Sequence, residues 1–147
     1  MKKLFLILIL LLASCGFKPI YVKNDKSILE FNNIILVGDN KINRQIINNV
    51  GLKETSLSEN ELTLISDYTV EETSKNSKGQ VETYRSSINL QLIIKKNEKV
   101  TKSRNFLNEF TYGNKSNKFE LNQYQNEIRN NLINKLTEEI ILFMNLS

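Results

Sequence analysis

Histidine and tryptophan are absent from this sequence of 147 residues, and cysteine and proline each occur once. Without histidine, and with a single thiol, the usual nitrogen and sulfur ligands of a zinc site are missing. Catalytic triads that use histidine or cysteine are excluded for the same reason. A Ser–Lys pair or paired carboxylates are the only familiar catalytic groups left, so we expect a protein that is not an enzyme and has no metal or cofactor.

Long hydrophobic runs are also scarce, and the clearest one, Leu4–Leu12, directly follows Lys2 and Lys3. Nine apolar residues are too few to span a bilayer as a mature helix. The run ends in small residues before Cys15, and this order predicts a lipoprotein signal peptide over residues 1–14. The alternatives are an ordinary secretory signal, in which the cysteine is incidental, and a short buried hydrophobic segment.

Cleavage at this point would leave Cys15 at the start of the mature chain, with acyl chains attached to its sulfur and amino group. Two or more acyl chains hold a protein stably on a membrane, whereas one alone binds reversibly. The next residue is Gly16 and not the aspartate that often marks retention at the inner membrane, which favours the outer membrane of a Gram-negative bacterium. An acylated Cys15 also leaves no thiol for a disulfide.

The charge balance is mild once the signal peptide is set aside. The chain has 20 basic and 16 acidic residues, and the removal of Lys2 and Lys3 leaves 18 against 16, or +2. This small excess does not indicate a nucleic-acid partner. The remaining 133 of 147 residues suffice for one domain with a modest core. We predict a lipidated linker over residues 15–26 and a single domain over residues 27–147.

The first half of the predicted domain contains one strand and one short helix. The strand is expected within Ile28–Val37, and the helix within Lys41–Val50 because isoleucines recur there at helical spacing. Asp39 or Asn40 is the expected N-terminal cap, and Gly51 stands where helices commonly end.

The second half predicts three strands and a long helix. Apolar residues alternate with polar ones around residues 62–71 and 84–95, which is the pattern of strands with one buried face. We predict a hairpin loop over Thr73–Gln80 and a tight turn over Lys96–Glu98. An edge strand is expected over Lys99–Tyr112. A stripe of apolar residues at spacings of three and four predicts a helix over Asn117–Asn145.

The economical assembly of these elements is an α+β fold of two layers, in the order β-α-β-β-β-α. We expect a four-stranded, mostly antiparallel mixed sheet with both helices on one face and a polar opposite face. The helical crossover allows the first strand to pair in parallel with one of the later three.

The segment Leu12-Ala13-Ser14-Cys15-Gly16-Phe17-Lys18-Pro19-Ile20-Tyr21 resembles the opening of the LPS-assembly lipoprotein family, LptE. Members commonly begin with a lipidated cysteine, Gly-Phe, a basic or polar residue and an apolar one. The pattern continues with Ile34–Val37, the segment Arg44–Val50 and the long helix around Tyr124–Leu132. The helix lacks the alanine richness that is familiar in this family.

The resemblance implies a two-helix, four-stranded α/β sandwich. It also implies a partner, the outer-membrane β-barrel translocon LptD, whose lumen the lipoprotein enters as a plug. The family binds lipopolysaccharide (LPS) during its assembly into the outer membrane. The alternatives are a lipoprotein of another envelope assembly complex and one that binds peptidoglycan.

Basic residues are concentrated in the segment Arg85–Arg104, which holds six positive charges against Glu98 alone. Clustered lysine and arginine bind phosphate through charge-assisted hydrogen bonds. A solvated hairpin, with lysines that protect an exposed edge, explains the same pattern without a ligand. The candidates for LPS binding are Arg85, Lys95, Lys96, Lys99, Lys102 and Arg104.

Overall fold

A computed structural model describes residues 30–145 of the chain. The predicted signal peptide, Cys15 and the linker over residues 15–26 lie outside this range, so their processing and acylation stay predictions. The described elements follow in the order β1 (Glu30–Phe31), β2 (Asn33–Gly38), α1 (Asn40–Val50), β3 (Lys53–Glu54), β4 (Asn60–Lys75), β5 (Val81–Lys96), β6 (Lys99–Gly113) and α2 (Lys118–Asn145).

Four strands form one mixed sheet in the order β2-β4-β5-β6. The β2 strand runs parallel to β4, with Ile34 opposite Leu62, while β4, β5 and β6 form an antiparallel meander. Because both helices contribute to the single core on one face of this sheet, the predicted α+β architecture is confirmed.

The ends of α1 are fixed by local chemistry. The Asp39 carboxylate accepts hydrogen bonds from the backbone N–H groups of Lys41 (2.9 Å) and Ile42 (3.1 Å), which would otherwise lack a helical partner. Gly51 adopts a φ of 80° and donates its N–H to the Ile47 carbonyl at 2.9 Å. Both predicted caps are therefore confirmed.

The core lies between the helices and one face of the sheet. Alternate residues of β4 and β5 point into it, and α2 adds a stripe along most of its length. The largest fully buried side chains are Phe31, Ile42, Ile46, Leu62, Leu64, Ile88, Leu90, Leu92, Ile133, Leu136, Ile140 and Met144.

The β4–β5 hairpin is longer than predicted. We expected a loop over Thr73–Gln80, but β4 continues to Lys75 and the loop is confined to Asn76–Gln80. The Thr83 hydroxyl lies 2.7 Å from the hydroxyls of both Thr73 and Ser74 across the hairpin. At this end of the hairpin, polar side chains are exposed on both faces of the sheet. Apolar and polar residues therefore do not alternate there, and the sequence gives no periodic signal for the strands.

The predicted first strand is divided. A bend at Asn32 separates β1 from β2, and β1 pairs in parallel with β3 in a small two-stranded sheet. The β3 strand was not predicted because two residues are too few to show a period. Thr55 donates its N–H to the Phe31 carbonyl at 2.8 Å and continues this pairing.

The face of the sheet opposite the helices is mainly polar, as expected, but it carries a group of apolar side chains and, on β6, the 63% exposed Leu107. Ile35, Val37, Ile65 and Ile93 share this face in adjacent strands, and Val37 is 45% exposed. The group lies at the β2 side of the sheet. The side chains toward β5 and β6 include Asn89, Gln91 and Asn105, which border a shallow depression.

Candidate functional site

The structure separates the six basic candidates into two places. Arg85 lies on the polar face of β5, ten residues before Lys95, which corresponds to about 33 Å along a strand. Its guanidinium is 3.9 Å from the carboxylate of Glu109 on the neighbouring strand. Arg85 is therefore not brought together with the other five residues, which flank the turn between β5 and β6.

A tight two-residue turn joins the strands that carry these five residues. Asn97 and Glu98 both adopt positive φ values, 49° and 63°, as the two-residue turn between antiparallel strands requires. The strands leaving it place Lys95 on the polar face. Lys96, Lys102 and Arg104 lie on the face that bears the helices.

Acidic residues from other parts of the chain approach the lysines of β5. The ammonium of Lys96 lies 3.0 Å from the carboxylate of Glu59, and Glu61 stands opposite Lys95 in the sheet. A depression of about 410 Å³ is lined by Lys95 together with Glu59, Glu61 and Glu98. Three acidic residues thus surround the two lysines of β5, so Lys95 and Lys96 are poorly placed for an anion.

The basic residues of β6 have different surroundings. The Arg104 guanidinium lies over the rings of Phe106 and Phe143, 5.1 and 5.4 Å from their centroids. This contact buries one face of the cation and fixes its position. Lys99 is exposed, and within residues 30–145 it makes no ion pair.

Exposed apolar side chains accompany these cations. Val100 is 58% exposed on β6, and Leu142 is 57% exposed on the last turns of α2, next to Phe143. We name the set Lys99, Val100, Lys102, Arg104 and Leu142 the β6 strip. Cations beside apolar groups suit a ligand with anionic headgroups and hydrocarbon chains.

Most aromatic residues of the β4–β6 meander pack in or at the edge of the core. The Ser86 hydroxyl is hydrogen-bonded to the hydroxyls of Tyr68 (3.1 Å) and Tyr112 (3.0 Å) at the far end of the sheet. Tyr112 also meets the ring of Tyr124 edge to face at 5.6 Å. Phe110 differs, because 49% of it remains exposed.

Sequence reasoning missed the acidic neighbours of the lysines and the contact of Arg104 with α2. Glu59 and Glu61 are more than 30 positions from Lys95 and Lys96, and Phe143 is 39 positions from Arg104. A count of charge along one segment cannot include such residues. The predicted β4–β5 hairpin gave a partial signal for Glu59 and Glu61, since antiparallel pairing must place the start of β4 beside the end of β5.

Two negative findings concern the described residues alone. Between Glu30 and Asn145, no group of three or more acidic or cysteine side chains is placed to hold a metal ion. Over the same range, neither helix combines the length and hydropathy needed to span a bilayer.

Comparison with known proteins gives structural matches only. No protein-family model and no curated protein sequence matches the chain. The crystal structure of rare lipoprotein B from Shewanella oneidensis matches with a TM-score of 0.61 at 12% identity, covering 77% of this chain and 93% of that one. A minor lipoprotein from Acinetobacter baumannii matches with a TM-score of 0.55 at 13% identity, over 79% and 92% of the two chains.

A third structure, lipoprotein B from Nitrosomonas europaea, gives a TM-score of 0.56 at 8% identity, covering 84% of this chain and 88% of that one. At such low identity, these similarities show that the chain shares its fold with bacterial lipoproteins. The chain covers nearly the full length of each, so the shared unit is the whole domain.

Proposed function

We propose that this chain is a lipid-anchored subunit of the outer membrane that plugs and stabilises an LptD-type β-barrel and binds LPS during its assembly. The observation that carries the proposal is the coincidence of two features. One is the lipoprotein signal that ends at Cys15. The other is a fold shared with lipoproteins, including one called rare lipoprotein B, a name used for the LptE family.

The position of the first described residue supports the anchoring. The Glu30 carbonyl accepts a hydrogen bond from the Ser58 hydroxyl at 2.8 Å, and the nearby Asn60 stands opposite Lys96. The chain from Cys15 therefore enters the domain at the end of the sheet that holds the β5–β6 turn. An anchor at Cys15 would tether the domain by the end of the sheet that also holds the turn beside the β6 strip.

The polar face of the sheet supports the barrel partner. The lumen of a large outer-membrane barrel is polar and filled with water, so a plug needs a surface that stays hydrated. Asp67, Asn89, Gln91 and Asn105 present carboxylate and amide groups on this face. Such groups exchange hydrogen bonds between water and a polar wall at little net cost.

The β6 strip supports the lipid ligand. LPS carries phosphate groups beside acyl chains. Arg104 lies over Phe143, which directly follows the exposed Leu142 on α2. Lys99 directly precedes the exposed Val100. Its binding would be non-covalent and would compete with divalent cations for the phosphates. No catalytic step is required, in keeping with the missing catalytic residue types.

Co-purification tests the barrel partner. The full chain, tagged at its C-terminus and extracted from membranes in mild detergent, should retain one large outer-membrane barrel protein in equal amount. The Cys15→Ala variant is the matched control, since it should lose the anchor and recover much less of the partner. Recovery of a different envelope assembly, or of peptidoglycan fragments, would contradict the proposal and favour the alternative lipoproteins.

A further inference from the structure

The second half of β6 is an open strand edge with little protection. Within residues 30–145, no strand pairs with the outer side of β6. Charged side chains on an edge strand discourage pairing with another chain. Lys99, Lys102 and Arg104 occupy the first half of β6, whereas residues 105–113 carry only Glu109. The second half is therefore the part that could accept a further strand.

An apolar groove accompanies this half of the strand. It has a volume of about 270 Å³ and lies between β6 and α2, with Phe110, Tyr124, Ile128 and Leu132 in its lining. Phe110 is 49% exposed, whereas Phe106 and Tyr112 on the same face of β6 are 2% and 4% exposed. The helix thus leaves one core-facing aromatic side chain of the edge strand uncovered.

The rim of the groove has a symmetric charge pattern. Glu127, Asn131 and Lys135 line it from α2 at intervals of four residues. An acidic residue lies one turn before Asn131 and a basic residue one turn after it. A second copy related by a two-fold axis at Asn131 would run antiparallel and would place its Lys135 beside Glu127, and its Glu127 beside Lys135.

Phe110 on β6 and Asn131 on α2 lie at the same height along the sheet, so both can lie close to one two-fold axis. The ring of Tyr124 contacts Tyr112 at 5.6 Å, and the Asn108 amide donates to Glu139 at 3.2 Å. Asn131 lies between Tyr124 and Glu139 on the helix, as Phe110 lies between Asn108 and Tyr112 on the strand. One axis can therefore pass close to both Phe110 and Asn131.

The register at this axis avoids the charged half of the strand. Antiparallel pairing about Phe110 sets the two Phe110 side chains opposite each other and Leu107 opposite Gly113. Residues 99–104 stay outside the paired region. An axis nearer the start of β6 would bring Lys102 and Arg104 of the two copies together, which is unfavourable.

The layer spacing also permits this arrangement. The α2 helix packs against both β5 and β6, so its axis lies above the gap between them. With strands about 4.8 Å apart, this places each helix about 5 Å from the two-fold axis. The two helices would be about 10 Å apart, the usual separation of packed helices.

From these observations we propose that two copies of this chain pair through the second half of β6. The two sheets would form one continuous sheet of eight strands, and the α2 helices would pack antiparallel and cover the two grooves. The inference does not rest on the proposed barrel partner or lipid ligand, and it concerns the chain outside a barrel lumen, which takes a single copy as its plug. A single copy has an open edge, and pairing would satisfy its backbone groups and bury Phe110.

Charge reversal tests the predicted arrangement. For the full chain in detergent, sedimentation should show a dimer, and Glu127→Lys or Lys135→Glu alone should weaken it roughly tenfold by placing like charges together twice. The double variant Glu127→Lys/Lys135→Glu should restore it. A double variant as weak as the single ones, or a wild-type chain that remains monomeric, would overturn the inference.

Cross-linking provides a second measurement that does not depend on affinity. Facing Cα atoms of helices about 10 Å apart lie roughly 5–6 Å from each other, within disulfide range. Asn131→Cys should therefore cross-link two copies on oxidation, while Asn130→Cys, turned about 100° away, should not. The wild-type chain, whose only cysteine is Cys15, gives the background. Equal cross-linking of the two variants would contradict the predicted axis.

Discussion

At the scale of single residues, Gly38 shows how a turn constrains the sequence. It ends β2 immediately before the cap of α1 and adopts a φ of 84°. A β-carbon built there would lie 1.9 Å from the carbonyl oxygen of Ser66 on β4. Two requirements thus act together, since the left-handed conformation disfavours a side chain and the neighbouring backbone leaves no room for one.

The Gly38→Ala variant should therefore lower the free energy of unfolding by about 2–4 kcal/mol, because it adds a backbone clash to conformational strain. Gly79→Ala is the matched control. Gly79 also has a positive φ, 78°, but a β-carbon added there would have no other atom within 4 Å, so only about 1 kcal/mol should be lost. Urea unfolding followed by circular dichroism measures both, and equal losses would show that the contact with Ser66 is unimportant.

The proposed lipid site can also be tested one residue at a time. Lys99→Glu should weaken binding of the protein to LPS about three- to tenfold, because an exposed cation of the β6 strip becomes an anion. Arg85→Glu reverses a charge about 33 Å away along the sheet and should leave binding unchanged. A titration with fluorescent LPS measures both variants. Equal effects would indicate non-specific attraction to the overall positive charge.

At the scale of elements, α2 combines stability with a set of exposed positions. Its 28 residues bury Ile128, Leu132, Leu136 and Ile140 against the sheet. The same helix leaves Leu142 and the charged residues of the groove rim at the surface. Its stripe therefore anchors the core, while its remaining surface is available for a partner.

Substitution of two leucines on α2 tests the difference between its core-packing stripe and its exposed surface. Leu136 is fully buried, so Leu136→Ala should lower the free energy of unfolding by about 3 kcal/mol through lost contacts and a cavity. Leu142 is 57% exposed, and Leu142→Ala should cost less than about 0.5 kcal/mol. Thermal or urea unfolding measures both values. If Leu142→Ala proved as damaging as Leu136→Ala, the end of the helix would be packed more tightly than its exposure indicates.

At the scale of the whole molecule, the proposed attachment to a membrane would decide where the domain acts. The signal that ends at Cys15 predicts acyl chains at that residue, which lies outside residues 30–145. The charges and apolar groups of the β6 strip are too few to hold the domain at a membrane by themselves. The acyl chains would supply most of the membrane affinity.

The Cys15→Ala variant should accumulate as a precursor of about 17.1 kDa that retains the signal peptide and incorporates no labelled fatty acid. Lys18→Ala, three residues further on, should be processed and labelled normally. Mass spectrometry of the membrane fraction measures both. Normal cleavage of Cys15→Ala would instead indicate an ordinary secretory signal.

Much of the fold follows from the sequence, because each main element has a local signal. The alternation in β4 and β5 predicted two strands with one buried face, and Asp39 and Gly51 marked the ends of α1. The candidate site was predicted less completely. The charge count included Arg85, which lies far from the turn, and missed Glu59, which neutralises Lys96.

The sequence by itself determined the pattern of elements, their order and the buried face of most of them, since these depend on residues only a few positions apart. Only the tertiary structure decided which charges stand together, which half of β6 is open and where Phe110 remains exposed. Those features depend on pairing between strands and on the path of α2 across the sheet. Such contacts join residues that are distant in the chain, and no local period or spacing records them.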